Sequence, residues 1–135
     1  MKSGINKSAP ALLKARLMLV VIGIILPYLA RLPRGSEWLG QYTDAGLSGW
    51  LLISGLNAIA WGAILAISFT YERPASLIAP CLLGFGYLAW SHGTLDLSTN
   101  PNAPIALVII PVYALLPIGV GGVIGFVMDR IFRRS

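Results

Sequence analysis

The stretch AGLSGWLLISGLNAIAWGAILAISFTY, residues 45–71, runs from Ala45 to Tyr71 without a charged side chain. An α-helix rises about 1.5 Å per residue, so about 20 apolar residues cross a hydrocarbon layer roughly 30 Å thick. The run exceeds that length and predicts a membrane-spanning helix over 46–70, long enough to cross with tilt. It is continuously apolar, whereas a strand of a transmembrane barrel alternates. Backbone groups in lipid must pair within their own segment, which selects a helix.

Three further apolar runs lie to either side. Leu17–Ala30 is short for a span, but Lys14 and Arg16 can extend their charged ends toward water, which predicts a first helix over 12–32. A cleaved signal peptide is the competing reading of this segment. Tyr28 opposes it, because it stands three residues before the candidate cut after Ala30, where a small residue is wanted. Ala75–Ser91 predicts a third helix over 75–91, with Pro80, Gly84 and Gly86 favouring a kink or a close helix contact. Pro104 suits a first helical turn, and the uncharged run behind it predicts a fourth helix over 104–128, ended by Asp129, Arg130, Arg133 and Arg134.

The connections differ in character. Arg31–Asp44 contains Trp38 and Tyr42 four residues apart, which fits a short interfacial helix or an irregular loop dipping into the headgroups. Thr70–Pro74 reads as a tight turn that pairs the second and third helices as an antiparallel hairpin. His92–Ala103 is rich in Ser, Thr, Asn, Asp and Gly and reads as a loop.

Composition agrees with four spans. Of 135 residues, 56% are hydrophobic and 11% charged, against about a quarter charged in a soluble domain. So short a chain cannot hide that much apolar surface in one core. The expected fold class is all-α: one integral membrane four-helix bundle over residues 1–135, with the lipid bilayer as its solvent.

The net charge of +5 does not point to nucleic acid, because the cations sit beside the apolar runs. With four spans, Lys2, Lys7, Lys14, Arg16, Arg73, Arg130, Arg133 and Arg134 share one side and only Arg31 and Arg34 face the other. The positive-inside rule then makes both termini cytoplasmic and expects a multi-pass protein of a bacterial inner membrane. His92 and Asp96 fall on a periplasmic loop in this arrangement. The sequon Asn6-Lys7-Ser8 falls on the cytoplasmic tail and reads as chance.

Lipid tails provide no hydrophobic drive between helices, so small residues mark contact faces. Ser54, Ala58, Gly62 and Ala66 recur at four-residue steps, and Gly121 and Gly125 form a G-x-x-x-G spacing. Both faces are expected to be contact surfaces, within the bundle or between protomers. Trp50, Ser54, Asn57 and Trp61 share a helical face, on which Asn57 is the amide deep in a span. An interhelical hydrogen bond explains Asn57 better than a polar cavity does. Pro111 and Pro117 are expected to kink the fourth helix, which shapes packing more often than it gates.

Chemistry-bearing residues are sparse. No acid or base lies near the middle of the second, third or fourth span, which weighs against proton relays and ion-coupled transport. His92 and Asp96 make an incomplete metal site, since stable sites take three or four ligands. Cys81 stands alone in an apolar run and reads as a small hydrophobe. No P-loop, nucleophile elbow, zinc-protease or paired-cysteine motif occurs. The expectation is therefore no catalytic residue, no cofactor and no metal.

The run Ala106–Pro117, with Pro111-Val112-Tyr113-Ala114 inside it and a glycine-rich helix end behind it, resembles the tail of small bacterial membrane proteins. The resemblance covers the last third of the chain, carries no catalytic motif and implies a bacterial source. Three functions remain to be weighed. The favoured one is a non-enzymatic interaction protein, an accessory subunit or a toxin-immunity type protein, whose partner is another membrane protein or further copies of the chain. The second is a small oligomeric channel or transporter. The third, an enzyme acting on lipids, lacks an acid, base or metal constellation.

Overall fold

The computed structural model describes residues 8–99 and 101–134. Lys2 and Lys7 lie outside them, as does most of the Asn6-Lys7-Ser8 sequon. The described residues are helical without strands: α1 Ser8–Leu29, α2 Ser36–Thr43, α3 Gly46–Ser68, α4 Ile78–Thr94 and α5 Ala103–Arg134. Short 3-10 turns at Leu32–Arg34 and Pro74–Leu77 lead into α2 and α4. Among the described residues four segments are long and apolar enough to cross a membrane.

Several helix ends differ from the hydropathy boundaries, each for a local reason. The first helix stops at Leu29, before the expected 32, because Pro33 disfavours α geometry at Leu32 and the chain tightens into a 3-10 turn. The Arg31–Asp44 connection resolves as a short helix, α2, flanked by Gly35 (φ 95) and Gly46 (φ 62). Those two backbone conformations strain any residue with a Cβ. The third helix runs on to Thr94, so His92 is helical. Polarity there does not break the helix, because the Thr94 hydroxyl donates back to the Trp90 carbonyl at 2.7 Å. The fourth span ends near 128, but its helix continues to Arg134, supported by the Asp129–Arg133 pair at i, i+4 and 2.9 Å. Charge ended the apolar run there without ending the helix.

The four long helices alternate in direction, so the described first turns of α1 and last turns of α5 lie at the same end of the bundle, here the terminal end. Around the bundle the order is α1, α3, α5, α4, with α3 and α4 diagonal to each other. The expected α3–α4 hairpin is therefore not a principal packing pair. The α3–α4 turn is drawn instead to α5, where Asp129 binds it.

The core is a column of Ala60 and Ile64 from α3, Leu88 from α4, Ala114 and Ile118 from α5, and Leu19 from α1. Close approach depends on glycine. A Cβ on Gly121 would fall 2.6 Å from the Pro80 Cα, and one on Gly125 would overlap the Ser76 carbonyl oxygen and the Tyr71 hydroxyl. A Cβ on Gly84 would lie 2.6 Å from Cγ1 of Ile118. The inward face of α3 is Ile53, Asn57, Ala60, Ile64 and Ser68. The expected stripe of small residues is not this face, which leaves contact between protomers as its other reading. Ser54 and Ala58 are half-buried beside the inward face, a Cβ on Gly62 would meet nothing within 4 Å, and Ala66 is exposed. Trp50 also points outward. α5 runs unbroken through Pro111, which is buried, and Pro117, which is half-buried.

Candidate functional site

Two polar centres fasten the bundle, one at each end. The first gathers on Arg31, just past α1 and fully buried. Its Nε donates to the Trp38 carbonyl at 2.7 Å, and Nη1 donates to the carbonyls of His92 at 2.8 Å and Leu95 at 2.6 Å. Nη2 donates to Oε1 of Gln41 at 2.8 Å. The guanidinium also lies over the Tyr42 ring, 4.0 Å from its centroid, and near that of Trp38 at 4.7 Å. A planar fork of five donors can serve three carbonyls and an amide together, which an ammonium cannot.

No carboxylate among the described residues forms an ion pair with Arg31. Negative charge reaches it through Gln41, whose Nε2 donates to Oδ1 of Asp96 at 3.1 Å. The same Gln41 Oε1 accepts the Leu97 N–H at 2.9 Å. Asp96 is held below the usual carboxylate range first by the Ser98 hydroxyl and backbone N–H, then by Gln41 and the nearby Arg31 charge. The ends of α1 and α4 are thus tied through α2.

A directional chain of hydrogen bonds runs inward from this centre. Tyr42 Oη meets His92 Nδ1 at 2.8 Å, His92 Nε2 meets Asn57 Oδ1 at 3.4 Å, and Asn57 Nδ2 donates to the Gly23 carbonyl at 2.7 Å. Because the Asn57 amide nitrogen is committed to Gly23, its oxygen faces His92. That assigns the proton to Nε2 and leaves Nδ1 to accept from Tyr42. His92 is therefore a neutral imidazole with both nitrogens engaged, the second of them through a long contact. Burial pushes the Tyr42 phenol up to about 12, against the pull of the Arg31 cation.

This placement corrects the loop assignment of His92. The side chain is buried on α4, and Asp96 lies beyond the helix end, bonded to Gln41 and Ser98 rather than to His92. Asn57 makes the interhelical bond, to α1. Its neighbours differ: the Trp61 Nε1 is buried with no hydrogen-bond partner among the described residues, and Ser54 lies beside Tyr28. Trp61 packs directly on Gly23, where a Cβ would come 2.5 Å from Cγ of the ring.

The second centre is Asp129 on α5, also fully buried. Its carboxylate accepts the backbone N–H of Glu72 at 3.2 Å and of Arg73 at 3.1 Å, and the Ser76 hydroxyl at 2.7 Å. Arg133 donates to it at 2.9 Å and bridges to Glu72 at 3.1 Å. Asp129 thereby holds the turn that leads into the Pro74–Leu77 3-10 turn, taking backbone donors that no helix satisfies. Beside it the Tyr71 hydroxyl donates to the Gly122 carbonyl at 2.7 Å. Burial raises the Tyr71 phenol, and the Asp129 carboxylate adds to the rise. At the same end Arg16 does not extend to water. It donates to the Ser68 hydroxyl and carbonyl at 3.0 and 2.9 Å and lies over the Phe69 ring, closing the last turn of α3.

No family model matches this chain, nor does any curated protein or solved structure. The resemblance read in Ala106–Pro117 thus has no match beside it. Among the described residues no group of three or more His, Cys, Asp or Glu is placed to hold a metal ion. Sequence reasoning missed Arg31, Gln41 and Asp129 as centres. The signal it had was the Trp38–Tyr42 spacing, which put two aromatic side chains on one face of α2 and now brackets the Arg31 guanidinium.

Proposed function

We propose that this chain is a multi-pass protein of the bacterial inner (cytoplasmic) membrane, with both termini cytoplasmic, that acts by binding another membrane protein and not by catalysis. An accessory subunit of a membrane complex, or an immunity protein against a membrane-inserting toxin, fits this description. One observation carries the reading: the buried ionisable groups are engaged in fastening helices together. Arg31 joins α1, α2 and the end of α4, and Asp129 joins α5 to the α3–α4 turn. Between them lies the apolar column of Ala60, Ile64, Leu88, Ala114 and Ile118. A core built this way favours a rigid body whose working part is its outer surface. On that surface Gly55 and Gly62 stand seven residues apart on α3 with open space beside them, so another helix can approach closely.

The orientation follows from charge. Lys14, Arg16, Arg73, Arg130, Arg133 and Arg134 cluster at the terminal end. At the other end Arg31 is enclosed, leaving Arg34 as the exposed cation. Alkaline phosphatase fused after Ser135 is expected to be inactive, and strong activity would reverse the assignment.

Affinity isolation of the full chain from native membranes in mild detergent tests the partner reading. A second membrane protein at fixed stoichiometry is the expected result. Recovery of the chain alone, or only with copies of itself, would reject a heterologous partner.

A further inference from the structure

A groove of about 230 Å³ runs between α1 and α4 on the outside of the bundle, near the terminal end. Ala15, Met18 and Ile22 form one wall, and Ile78, Cys81 and Phe85 the other, with Pro74 at its end. The lining is almost wholly apolar. It is smaller than the about 300–1,000 Å³ of most small-molecule sites and offers few polar groups to orient a polar ligand.

Position along the helices places charge at one end of this groove. Lys14 precedes Met18 and Ile22 at four-residue steps, so it heads the same ridge of α1. Arg73 immediately precedes Pro74, in extended backbone where the chain enters α4. Both side chains are exposed.

The end they share is net positive: Lys14, Arg16, Arg73, Arg130, Arg133 and Arg134 lie there against two carboxylates, Glu72 and Asp129. Both carboxylates pair with Arg133. Arg16 is turned inward onto Ser68. Lys14 and Arg73 form no ion pair among the described residues. An apolar channel that opens sideways, with two exposed cations preceding its lining residues at one end, fits an acyl chain continuous with an anionic headgroup.

We propose that the α1–α4 groove binds an anionic glycerophospholipid, with one acyl chain along Met18, Ile22, Ile78 and Phe85 and its phosphate between Lys14 and Arg73. Basic residues at the membrane surface attract anionic lipid with an energy equivalent to roughly a few-fold in affinity each. The groove adds a fixed seat for the chain, which distinguishes a site from general surface attraction.

Native mass spectrometry of the purified full chain, offered equal phosphatidylglycerol and phosphatidylcholine with identical acyl chains, provides the test. The expected result is one retained lipid with roughly tenfold preference for phosphatidylglycerol. Lys14→Gln with Arg73→Gln should abolish the preference. Arg130→Gln with Arg134→Gln removes equal charge from the same end, away from the groove, and should leave the preference intact. Ala15→Phe fills the groove from α1 and should lower retention of both lipids, and Cys81→Phe does the same from α4 should the first variant not fold. Equal retention of the two lipids, equal loss in both arginine-bearing double variants, or full retention in a folded groove-filling variant would each overturn the proposal. Lipid retention is read on the isolated chain, so its failure is separable from failure to find a protein partner.

Discussion

The Arg31 guanidinium donates to the backbone carbonyl of His92 at 2.8 Å, so a cation at the end of the first long helix holds the last turn of the third. Three more acceptors, on Trp38, Leu95 and Gln41, share the same fork. Arg31→Met keeps an apolar stem of similar length and strips all four of their donor. Each buried acceptor left unpaired costs about 1–3 kcal/mol, reduced where a neighbour or water takes over. The melting temperature in detergent should fall sharply, by the equivalent of about 3 kcal/mol or more. Arg31→Lys should recover only part, because a point cation cannot reach acceptors on three segments together. Full recovery by lysine would show that charge rather than the fork does the joining.

Asp129 is the counterpart at the terminal end, and its loss should be read locally. In Asp129→Ala the amides of Glu72 and Arg73 and the Ser76 hydroxyl lose their acceptor, and Arg133 keeps only its bridge to Glu72. Breaking such a buried charged set costs about 3–5 kcal/mol. The Glu72–Ser76 turn should loosen first, so a glutamate-specific endoproteinase in detergent should cut after Glu72 much faster than in the parent. A cleavage rate equal to the parent's would mean that the turn is held by backbone alone.

How far these centres were legible in the sequence depends on the scale of the interaction. The four helices could be read because hydrophobic content over some twenty residues is a one-dimensional property. Gly121 and Gly125 could be singled out because close backbone approach demands the absence of a side chain wherever it occurs. Arg31 and Asp129 could not, since hydropathy assigns every terminal charge to water, and their partners are carbonyls, amides and a glutamine from other segments. For a related reason the small-residue stripe on α3 did not mark its inward face. Small size at Gly62 signals a contact only if something lies opposite, and in the bundle the glycine on the other side, Gly84, receives the larger Ile64 and Ile118 instead. His92 was misplaced because a polar run looks like a loop until the bonds that satisfy it, to Tyr42 and Asn57, are visible.

Tyr42 should make stability sensitive to alkali. Its phenol moves from 10.0 to about 12, so the folded state keeps the proton where the unfolded chain releases it. The contribution is complete below pH 10 and is lost as pH rises toward about 12. Its size is on the order of 2–3 kcal/mol at about 1.36 kcal/mol per unit. Tyr42→Phe cannot ionise and should flatten the loss of melting temperature between pH 10 and 12, while costing about 1 kcal/mol at neutral pH for the lost bond to His92. Tyr71 is also raised and remains in both proteins, so the difference between the two curves is the quantity to measure. Parallel curves would place the alkaline sensitivity elsewhere.

The glycines separate folding from partner binding. Gly121→Val and Gly125→Val each drive a side chain into α4 or the turn before it, against backbone atoms of Pro80 and Ser76 that cannot step aside. Overpacking of this kind costs about 1–3 kcal/mol and more where backbone must move. Both variants should melt lower or fail to accumulate. Gly62→Leu and Gly55→Leu add bulk into open space, so the isolated bundle should melt within about 0.5 kcal/mol of the parent. If the outer face of α3 receives a partner helix, the same two variants should lose that partner in affinity isolation from native membranes while remaining folded. The pairing of outcomes is what discriminates: unchanged melting with partner lost assigns the face to association, whereas unchanged melting with partner retained moves the contact to another helix.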